Sequence, residues 1–511
     1  MLISIDWISE FVDIPQMTPK DLGVKFTLAT AEVEKVITEG DFLKKIKVAE
    51  ILQIERHPDA DKLNLVTFNF GASENFQVVC GAPGLVVGMK VPYAPLGTEL
   101  PGGFVLTPKK IRGVLSEGML CSAEELGLVS DTDGLLELES DLELGTNMLD
   151  VLGKKQDTLL DVDNKSLTHR PDLWGHYGMA REFAAIFNNE LKNPFNKDWA
   201  NKLESNFTSD ESPVTPKVIG QSSCKSYWGL TIENVTVTES PQWMQSRLIS
   251  SGLRPINNMV DISNYVMLEL GIPNHIFDRD MIKGNSLNIQ KIDQDIDFVT
   301  LDEEKRKLIS GDTVISDSES PLVIAGIMGG LSSGVTSSTK TIFIEVANWK
   351  ASEVRTTSTR LGLRTDSSQR YEKSLDSQLC KRTALRILDL VLELCPKSKV
   401  VGKLEYDGES LDNFQPIEIV SSVDKISKVL GTNLDEPRIT SILESLNFGV
   451  KTNGNNLEIT VPSFRSTKDI ENESDIIEEI GRIIGYDNID LIAPSVQVAP
   501  VKLTPAQQLH R

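Results

Sequence analysis

Short β-rich runs separated by glycine turns fill residues 39–148, and this pattern constrains the fold more than any other feature of the chain. The runs include KVAEILQIERH, KLNLVTFNF and FQVVCGAP. Several short strands at this spacing are typical of a small β-barrel. The sequence therefore predicts a barrel over residues 39–148.

The segments on either side of this barrel mix helices and strands. Residues 1–38 begin with a strand-like run and continue with helical periodicity. Residues 149–205 contain THRPDLWGHYGMAREFAAIFN, which predicts a proline-anchored loop followed by a helix. The polar, irregular stretch 197–217 is typical of a linker. We therefore expect residues 1–38 and 149–205 to form one small mixed module into which the barrel is inserted.

The rest of the chain predicts two further modules. Between residues 206 and 400, helical patterns such as PQWMQSRLISSGL alternate with buried strands such as TIFIEVANW. Residues 401–490 form the last predicted module, in which residues 415–490 follow the order strand, helix, helix, strand, helix. Residues 491–511 are polar and contain proline. The predicted fold class is therefore multidomain α+β.

Composition excludes several classes of protein. Of 511 residues, 40% are hydrophobic and 25% are charged, an ordinary globular mixture. The formal net charge of −22 disfavours binding of nucleic acid by bulk charge, so such binding needs a local basic surface or a partner. Five dispersed cysteines without a CxxC pair predict reduced thiols and a cytoplasmic protein. Neither a signal peptide nor a membrane-spanning segment is expected.

The predicted barrel carries one local basic surface. Lys109, Lys110 and Arg112 fall on one short stretch, and Ser116 follows with a hydroxyl group beside glycine backbone. Oligonucleotide-binding barrels hold a phosphate backbone over basic strands of this kind. The alternative is a solvated surface cluster that binds nothing.

Chemically capable residues also occur in the segment 206–400. His275 lies in a turn after a predicted helix, and Glu345 interrupts the otherwise apolar run TIFIEV. Gly326 and Gly329 follow a buried strand, where glycine lets backbone N–H groups approach a ligand closely. Alternatively, the histidine is a structural turn residue, the glutamate is exposed on a half-buried strand, and the glycines only shape turns.

A group of carboxylates marks a helix near the end of the chain. Asp475, Glu478 and Glu479 project from one face of a helix that begins near Ser474, and Asp469 precedes them. Like charges on one face repel unless a cation or a basic partner neutralises them, and oxygen ligands without histidine or cysteine favour Mg²⁺. The alternative is ordinary acidic enrichment at a helix N-terminus.

A series of motifs resembles the bacterial phenylalanyl-tRNA synthetase β-subunit family. In chain order they are SIDWISEFVDI, HPDADKL, VCGAPG, RGVLSEGMLCSAEELGL, THRPDLWGHYGMARE, INNMVDISNYVMLELGIPNHIFD, AGIMGG, LRTDSSQRYEKSLD, VPSFR and DIIEEIGRIIGYDNI. The resemblance covers residues 1 to about 492. His169 stands where the family more often has asparagine, and Ser263 where it more often has threonine. Family members continue into a catalytic-like and an anticodon-binding module, so residues 491–511 are expected to be a linker to modules that this chain lacks.

The resemblance implies a fold for each predicted module. Residues 1–38 and 149–205 would form the N-terminal mixed α/β module, and residues 39–148 an inserted oligonucleotide-binding barrel that holds tRNA. Residues 206–400 would form a B3/B4-like editing module, and residues 401–490 a small winged-helix-like B5 module. The residues implied to contact tRNA are Lys109, Lys110, Arg112 and Ser116.

For the editing module, the resemblance implies hydrolysis of tyrosine mischarged onto phenylalanine tRNA. Glu345 would accept the phenolic proton of tyrosine, and the backbone N–H of Gly326 would bind the same oxygen. Ala325 and Gly329 would line the slot for the aromatic ring.

The same resemblance places the terminal adenosine and the attacking water beside Ser263, Asn264 and His275. His275 is one candidate for the general base. Positioning of the water by the ribose hydroxyl of the substrate itself is the other, and both stay open.

The resemblance also implies cofactors and partners. Mg²⁺ would bind Asp469, Asp475, Glu478 and Glu479 in a site shared with an α subunit, although two extra residues separate Arg465 from Asp469 compared with the shorter family form. An α2β2 tetramer would charge tRNA(Phe) with ATP at the α subunit, since this chain has no ATP-binding motif of glycine and lysine. No clustered basic recognition helix occurs, so gene regulation through DNA is not expected. The alternatives are a tRNA-binding or protein-interaction module, and a free-standing editing hydrolase without ligase activity.

Overall fold

The protein, seen in a computed structural model, has the predicted multidomain α+β class. The structure describes residues 1–101, 103–128, 133–152, 156–410, 414–490 and 503–509. Most of the predicted linker 491–511 lies outside these residues, and the described part contains the short helix Pro505–Leu509. No helix of the described residues is both long and apolar enough to cross a membrane.

The first module is a three-stranded antiparallel sheet with helices. Strand Asp157–Val162 lies in the centre and pairs with Leu2–Ser4 on one side and Val33–Glu39 on the other. Because the strands before and after the barrel segment pair with each other, the predicted insertion of the barrel is confirmed. The helices of this module and its junctions are Ile5–Ile8, Pro19–Ala29, Asp41–Lys45, Met148–Val151, His176–Phe187 and Lys197–Glu204.

The predicted barrel is confirmed as a strongly curved five-stranded sheet. Its strands are, in spatial order, Met119–Leu120, Lys90–Ala94, Lys47–Arg56, Asn64–Asn69 and Phe76–Cys80. The two outer strands approach each other, since the N–H of Glu117 donates to the carbonyl of Gln77 at 3.0 Å. Phe68 and Tyr93 fill the interior with ring centroids 4.5 Å apart. Two hairpins, Glu99–Leu100 with Phe104–Val105 and Lys109–Ile111 with Val114–Ser116, extend from it.

The middle module contains two main sheets. One has the order Asn274–Asp278, Thr341–Trp349, Cys224–Glu233, Lys399–Gly408, and the other has the order Thr215–Val218, Ser286–Lys291, Thr313–Ser316, Pro321–Ile324, Met328–Gly329. A hairpin joins Ile296–Val299 to Lys305–Leu308. The helices are Gln242–Ser250, Asn258–Leu270, Ala351–Leu361, Asp366–Tyr371 and Cys380–Leu394.

Two predicted boundaries of this module differ from the structure. The boundary after residue 400 falls inside strand Lys399–Gly408, whose pairing with Cys224–Glu233 extends the middle module to Gly408. The linker predicted at 197–217 contains the helix Lys197–Glu204 and a strand that pairs in parallel with Ser286–Lys291. The polar sequence of that stretch reflects exposed helix and edge-strand positions.

The third module packs three strands against three helices. The strands are Glu418–Ser422, Gly449–Asn453 and Asn456–Thr460, and the helices are Val423–Leu430, Glu436–Ser445 and Glu473–Ile484. The predicted element order is confirmed, with one additional strand. This module has a hydrophobic core of its own, whereas the first and middle modules share one continuous core.

Candidate functional site

The candidate site lies where the two sheets of the middle module face each other, and we call this region, defined by His275, Glu345, Gly326 and Gly329, the slot. His275 and Glu345 stand directly opposite each other on antiparallel strands, so their side chains leave the sheet on the same face. Gly329 covers His275, and a Cβ atom added there would lie 2.9 Å from the imidazole Cε1. Gly326 covers Trp349 in the same way, at 2.8 Å from the indole Cδ1. The fold thus brings the predicted histidine, glutamate and glycines together.

The backbone at the glycine wall is shaped to meet a ligand. Gly326 has a φ angle of +68°, a conformation that side chains with a Cβ rarely adopt. Its N–H has no hydrogen-bond acceptor within the described residues. The neighbouring N–H of Ala325 is instead fixed by the carbonyl of Thr313 at 3.1 Å. Beside the slot, the N–H of Gly326 is therefore a backbone donor without an acceptor in the described residues.

Several buried polar atoms around the slot lack hydrogen-bond partners in the described part of the chain. They are the Glu345 Oε2, the His275 Nε2, the Tyr227 hydroxyl and the Trp349 Nε1. Tyr227 stands opposite Ala347, two positions along the strand from Glu345, and so shares its face. A buried polar group without a partner costs about 1–3 kcal/mol. A concentration of such groups in one slot indicates a place where a polar ligand or water binds.

Burial sets the protonation states of the two central groups. Desolvation raises the pKa of Glu345 to about 8 and lowers the pKa of His275 to about 4. Both side chains are therefore mainly uncharged at pH 7. A neutral imidazole is able to accept a proton from water, whereas a protonated carboxyl accepts hydrogen bonds through its carbonyl oxygen and donates through its hydroxyl.

Glu345→Gln is expected to raise the free energy of unfolding at high pH. The folded-state pKa of Glu345 is about 8, against an ordinary value of 4.5, so the unfolded chain loses this proton first. Below pH 4.5 the buried carboxyl does not lower the free energy of unfolding. The loss of stability grows as the pH rises above 4.5 and is complete above pH 8. At about 1.4 kcal/mol per pKa unit, the upper limit of the gain is about 5 kcal/mol.

Urea unfolding of both proteins at pH 4, 7 and 9 measures this gain. Glu393→Gln, at an exposed position of helix Cys380–Leu394, is the control and should show no pH-dependent gain. A Glu345→Gln difference that is the same at all three pH values would contradict the expectation.

Ser263 and Asn264 lie on the helix Asn258–Leu270, which begins with a side-chain cap from Asn257. The Ser263 hydroxyl donates to the carbonyl of Asn274 at 3.4 Å, and the Asn274 amide donates back to the carbonyl of Ser263 at 3.1 Å. This reciprocal pair joins the helix to the strand residue that precedes His275. Ser263 is therefore fixed next to the strand that carries His275, and Asn264 is the following residue of the same helix.

The first module holds this helix from behind. The ring of His176 stacks on Trp7 at 4.0 Å, and its Nδ1 lies 2.8 Å from the carbonyl of Leu268. Its Nε2 accepts the backbone N–H of Ser4 at 3.2 Å, so Nδ1 carries the proton. Burial lowers the pKa of His176 to about 4. This neutral histidine is a fixed joint between the first module and the end of the helix.

Sequence reasoning missed Tyr227 and Trp349 on the face of the slot, and also Asn274, whose side chain leaves the strand on the opposite face from His275 and contacts Ser263. The first two occupy apolar strands, where an aromatic side chain is usually part of the core. The only available signal for Trp349 was its position, an even number of residues from Glu345 on one strand, which places both on one face. The Oδ1 of Asn274 is also buried without a partner in the described residues, next to His275.

The predicted tRNA-binding cations lie on the hairpin at the surface of the barrel. Lys109 and Lys110 are exposed, and Arg112 is exposed at the turn with a φ angle of +45°. The guanidinium of Arg112 donates to the carbonyl of Asp59 at 2.9 Å. This bond ties the hairpin tip to the turn of the HPDADKL motif, so the two motifs form one surface.

Ser116 differs from these cations because it is buried. Its hydroxyl donates to the carbonyl of Gly118 at 3.0 Å and accepts the N–H of Val79 at 3.2 Å. These contacts connect the hairpin to the edge strand Phe76–Cys80. In this arrangement Ser116 supports the hairpin, and its predicted contact with tRNA stays a prediction.

The predicted magnesium ligands do not meet in one group. The guanidinium of Arg465 contacts the carboxylate of Asp469 and also lies 2.8 Å from Glu479. Glu479 is further paired with Arg482 at 2.5 Å. Burial raises the pKa of the Glu479 carboxyl, but the two arginines outweigh this and hold it well below its usual value. Arginine therefore already neutralises two of the four carboxylates.

The other two predicted ligands point elsewhere. The carboxylate of Asp475 caps the helix Glu473–Ile484, accepting the N–H groups of Glu471 and Asn472 at 2.8 and 2.9 Å. Glu478 is exposed. Nowhere in the described ranges do three side chains of histidine, cysteine, aspartate or glutamate stand ready to share a metal ion. The four residues as arranged in this chain alone do not fit the predicted Mg²⁺ site.

Comparison with known proteins gives three matching family models. "Putative tRNA binding domain" matches residues 46–147, "B3/4 domain" matches residues 223–396 and "tRNA synthetase B5 domain" matches residues 419–486. The first covers the barrel, the second contains the whole slot and the third covers the last module.

Curated relatives match along the whole chain. "Phenylalanine--tRNA ligase beta subunit" of Solibacter usitatus is 36% identical over 512 residues, and that of Bacillus subtilis is 36% identical over 518 residues. Each alignment covers 100% of this chain and 63% of the relative, so the chain spans less than two thirds of their length. Among solved structures, an N-terminal fragment of the phenylalanyl-tRNA synthetase beta-subunit from Pyrococcus horikoshii aligns with 64% of this chain and 87% of its own, at 20% identity and a TM-score of 0.33.

Proposed function

This chain belongs to the phenylalanine–tRNA ligase β-subunit family, and on that premise we propose that its slot hydrolyses tyrosine esters of phenylalanine tRNA. The observation that carries the proposal is the set of unpartnered polar atoms on one face of a buried sheet, opposite glycines. Buried polar atoms without partners destabilise an apolar core, whereas a phenol and an ester supply hydrogen-bonding groups for them.

The chemistry explains why a second site is needed. An apolar synthetic pocket for phenylalanine rejects tyrosine, which adds only a hydroxyl group, by no more than about 10²-fold. A site that hydrogen-bonds the hydroxyl discriminates in the opposite sense by about 10⁴–10⁵-fold. Glu345, with the free N–H of Gly326, is the proposed hydroxyl-binding pair. Ala325 and Gly329 are proposed to line the ring, since neither residue carries a side chain longer than a methyl group.

The attacking water is proposed to lie at the other end of the slot, beside His275. Burial keeps the imidazole neutral at pH 7, so it is free to accept a proton from water. Ser263 and Asn264 on the adjoining helix are proposed to hold the terminal adenosine. The ribose hydroxyl of the substrate remains the alternative group for positioning the water.

Family membership supports proposals about the assembly. The chain is proposed to pair with an α subunit in an α2β2 tetramer in the cytoplasm, where the α subunit uses ATP to charge tRNA(Phe). The exposed hairpin with Lys109, Lys110 and Arg112 is proposed to contact the tRNA. Mg²⁺ stays a prediction that would need ligands from the α subunit, because Asp475 and Glu478 are the only two predicted ligands not paired with arginine.

Hydrolysis by the purified chain tests the proposal directly. Supplied with tyrosine-charged phenylalanine tRNA, the chain should release free tyrosine faster than spontaneous hydrolysis. His275→Ala should lower kcat by about 10²-fold or more if the imidazole is the general base. A loss below about tenfold would favour the ribose hydroxyl of the substrate.

Two other outcomes would replace the proposal. Binding of tRNA without any release of tyrosine would favour a tRNA-binding module. Hydrolysis without charging after co-expression with the α subunit would favour an editing hydrolase without ligase activity.

A further inference from the structure

An open cavity of about 610 Å³ lies where the first, middle and third modules meet. Its walls come from the loop 163–174 of the first module, from Lys468 of the third module and from two helices of the middle module, Ala351–Leu361 and Asp366–Tyr371, with their flanking residues. The motif LRTDSSQRYEKSLD supplies part of this wall, and its tyrosine also contacts the slot. The size of the cavity is that of an ordinary ligand site.

The lining of this cavity is strongly cationic in a chain whose net charge is −22. The positive side chains are Lys165, Arg355, Arg364, Lys373 and Lys468, and the carboxylates are Asp163 and Glu372. Glu372 pairs with both Arg364 and Lys373 at 3.0 Å. The other three cations have no carboxylate within 4.0 Å in the part of the chain that the structure describes. Unneutralised positive charge therefore faces the cavity.

These cations stand close enough to repel one another. Arg355, Lys373 and Lys468 all line the same cavity. Such crowding is unfavourable in the empty chain, and an anionic ligand with more than one negative group would relieve it. Arginine is suited to phosphate in particular, because its planar fork donates two parallel hydrogen bonds.

A single helix separates the cavity from the slot. Tyr371 of helix Asp366–Tyr371 contacts the slot, since its ring lies 3.2 Å from a Cβ atom placed on Gly326. Gln369 of the same helix lines the cavity, and so does Lys373 just beyond its end. The hydroxyl of Thr365, which caps this helix, donates to the carbonyl of Ile327 at 2.7 Å. A strand of nucleic acid with its end in the slot has the cavity directly beside it.

One polar atom of the wall also favours a nucleotide over a simple anion. The Oδ1 of Asn164 is buried and has no hydrogen-bond donor among the described residues. It needs a donor, which a phosphate lacks and a ribose 2′-hydroxyl supplies. We propose that this cavity binds the phosphodiester backbone of the single-stranded 3′ end of the tRNA whose ester enters the slot. The proposal rests on the proposed function and extends it to the path of the substrate.

The test uses the full chain with Arg355→Ala and Lys468→Ala combined. Hydrolysis of tyrosine-charged phenylalanine tRNA should show a KM about tenfold higher, with kcat within about twofold of the unchanged chain. Removal of two phosphate contacts should also reduce the slope of log KM against log salt by about 1.4, at about 0.7 per contact on a single strand. The matched control is Arg438→Ala with Lys451→Ala, two exposed cations of the third module outside the cavity, and it should change neither value.

A binding experiment separates this proposal from the proposed function. Fluorescence anisotropy with a short single-stranded RNA ending in CCA requires no hydrolysis, so it decides the matter even if the slot proves inactive. The cavity pair should weaken Kd about tenfold, and the charge-conserving pair Arg355→Lys with Lys468→Arg should restore it, which excludes misfolding as the cause.

Other results would overturn the proposal. They are equal weakening by the cavity and control pairs, an unchanged Kd and KM in the cavity pair, and displacement of the RNA by equimolar inorganic phosphate or ATP. The last result would identify a pocket for a free anion and not a path for RNA.

Discussion

Replacing Glu345 with alanine is expected to reduce the preference for tyrosine esters over phenylalanine esters from about 10⁴-fold to about 10²-fold or less. The two substrates differ by one hydroxyl group, and the buried carboxyl of Glu345 has an oxygen without a hydrogen-bond partner in the described residues. Without the carboxyl, the tyrosine hydroxyl would be buried with one partner fewer, at a cost of about 1–3 kcal/mol. The ratio of kcat/KM for tyrosine-charged and phenylalanine-charged tRNA measures the change.

Three further variants define what a change in this ratio means. Glu345→Gln keeps an oxygen acceptor and an N–H donor, so it should retain an intermediate preference. His275→Ala should lower kcat/KM for both esters alike, because the imidazole is proposed to act on the water and not on the ring. Glu393→Ala, at an exposed position, should leave both constants unchanged. If Glu345→Ala lowers both esters equally, the carboxyl does not read the hydroxyl.

The sequence predicted the titratable residues of the slot, His275 and Glu345, but not the aromatic residues beside them. Glu345 is conspicuous because it interrupts an apolar run, and motif resemblance joined it to His275. His275 was expected in a turn but lies in strand Asn274–Asp278. The direct opposition of the two residues depends on strand register between segments distant in the chain, which periodicity does not contain. Tyr227 and Trp349 follow the pattern of an ordinary apolar strand, so nothing local distinguishes them from core residues.

For the fold as well, features set by neighbouring residues were predictable from the sequence, and features set by contacts between distant residues were not. The barrel was predictable because its short strands and glycine turns are local features. The boundary placed after residue 400 was wrong because strand Lys399–Gly408 belongs to a sheet whose other members precede it by many residues. The exposed cations on the barrel hairpin were foreseeable from their clustering, whereas the burial of Ser116 depends on a hydrogen bond from Val79 on another strand.

The acidic helix shows why charge counting along the sequence was insufficient. Its carboxylates are partly neutralised by arginines of the same module and by arginines of the first module. The arginines of the first module lie hundreds of positions away from the helix in the sequence. Arg482 pairs with Glu182 at 2.6 Å, and Glu182 pairs in turn with Arg170 at 2.5 Å. All three side chains are buried. The helix that resembled a metal site therefore also forms a buried ionic joint between the first and third modules.

Glu182→Ala is accordingly expected to destabilise the chain by about 3–5 kcal/mol, because it leaves Arg170 and Arg482 buried without their shared carboxylate. Burial opposes ionisation of Glu182, but the two arginines outweigh it and lower its pKa to about 2. The stabilisation is therefore complete above about pH 4.5 and is lost as the pH falls towards 2. Urea unfolding between pH 3 and 7 should show a difference from the unchanged chain that shrinks as the pH falls.

Two variants separate loss of the ion pairs from loss of packing. Glu182→Gln preserves the shape and part of the hydrogen bonding, so the destabilisation that it causes measures the loss of the charge. The additional destabilisation in Glu182→Ala measures the loss of packing and of the remaining hydrogen bonds. Glu190→Ala, exposed just beyond the end of the same helix, should cost less than about 0.5 kcal/mol. A Glu182→Ala penalty below about 1 kcal/mol, or one independent of pH, would mean that the arginines find other partners or water. The third module would then be held to the first by apolar contacts such as those of Ala185 with its core, and not by the ionic joint.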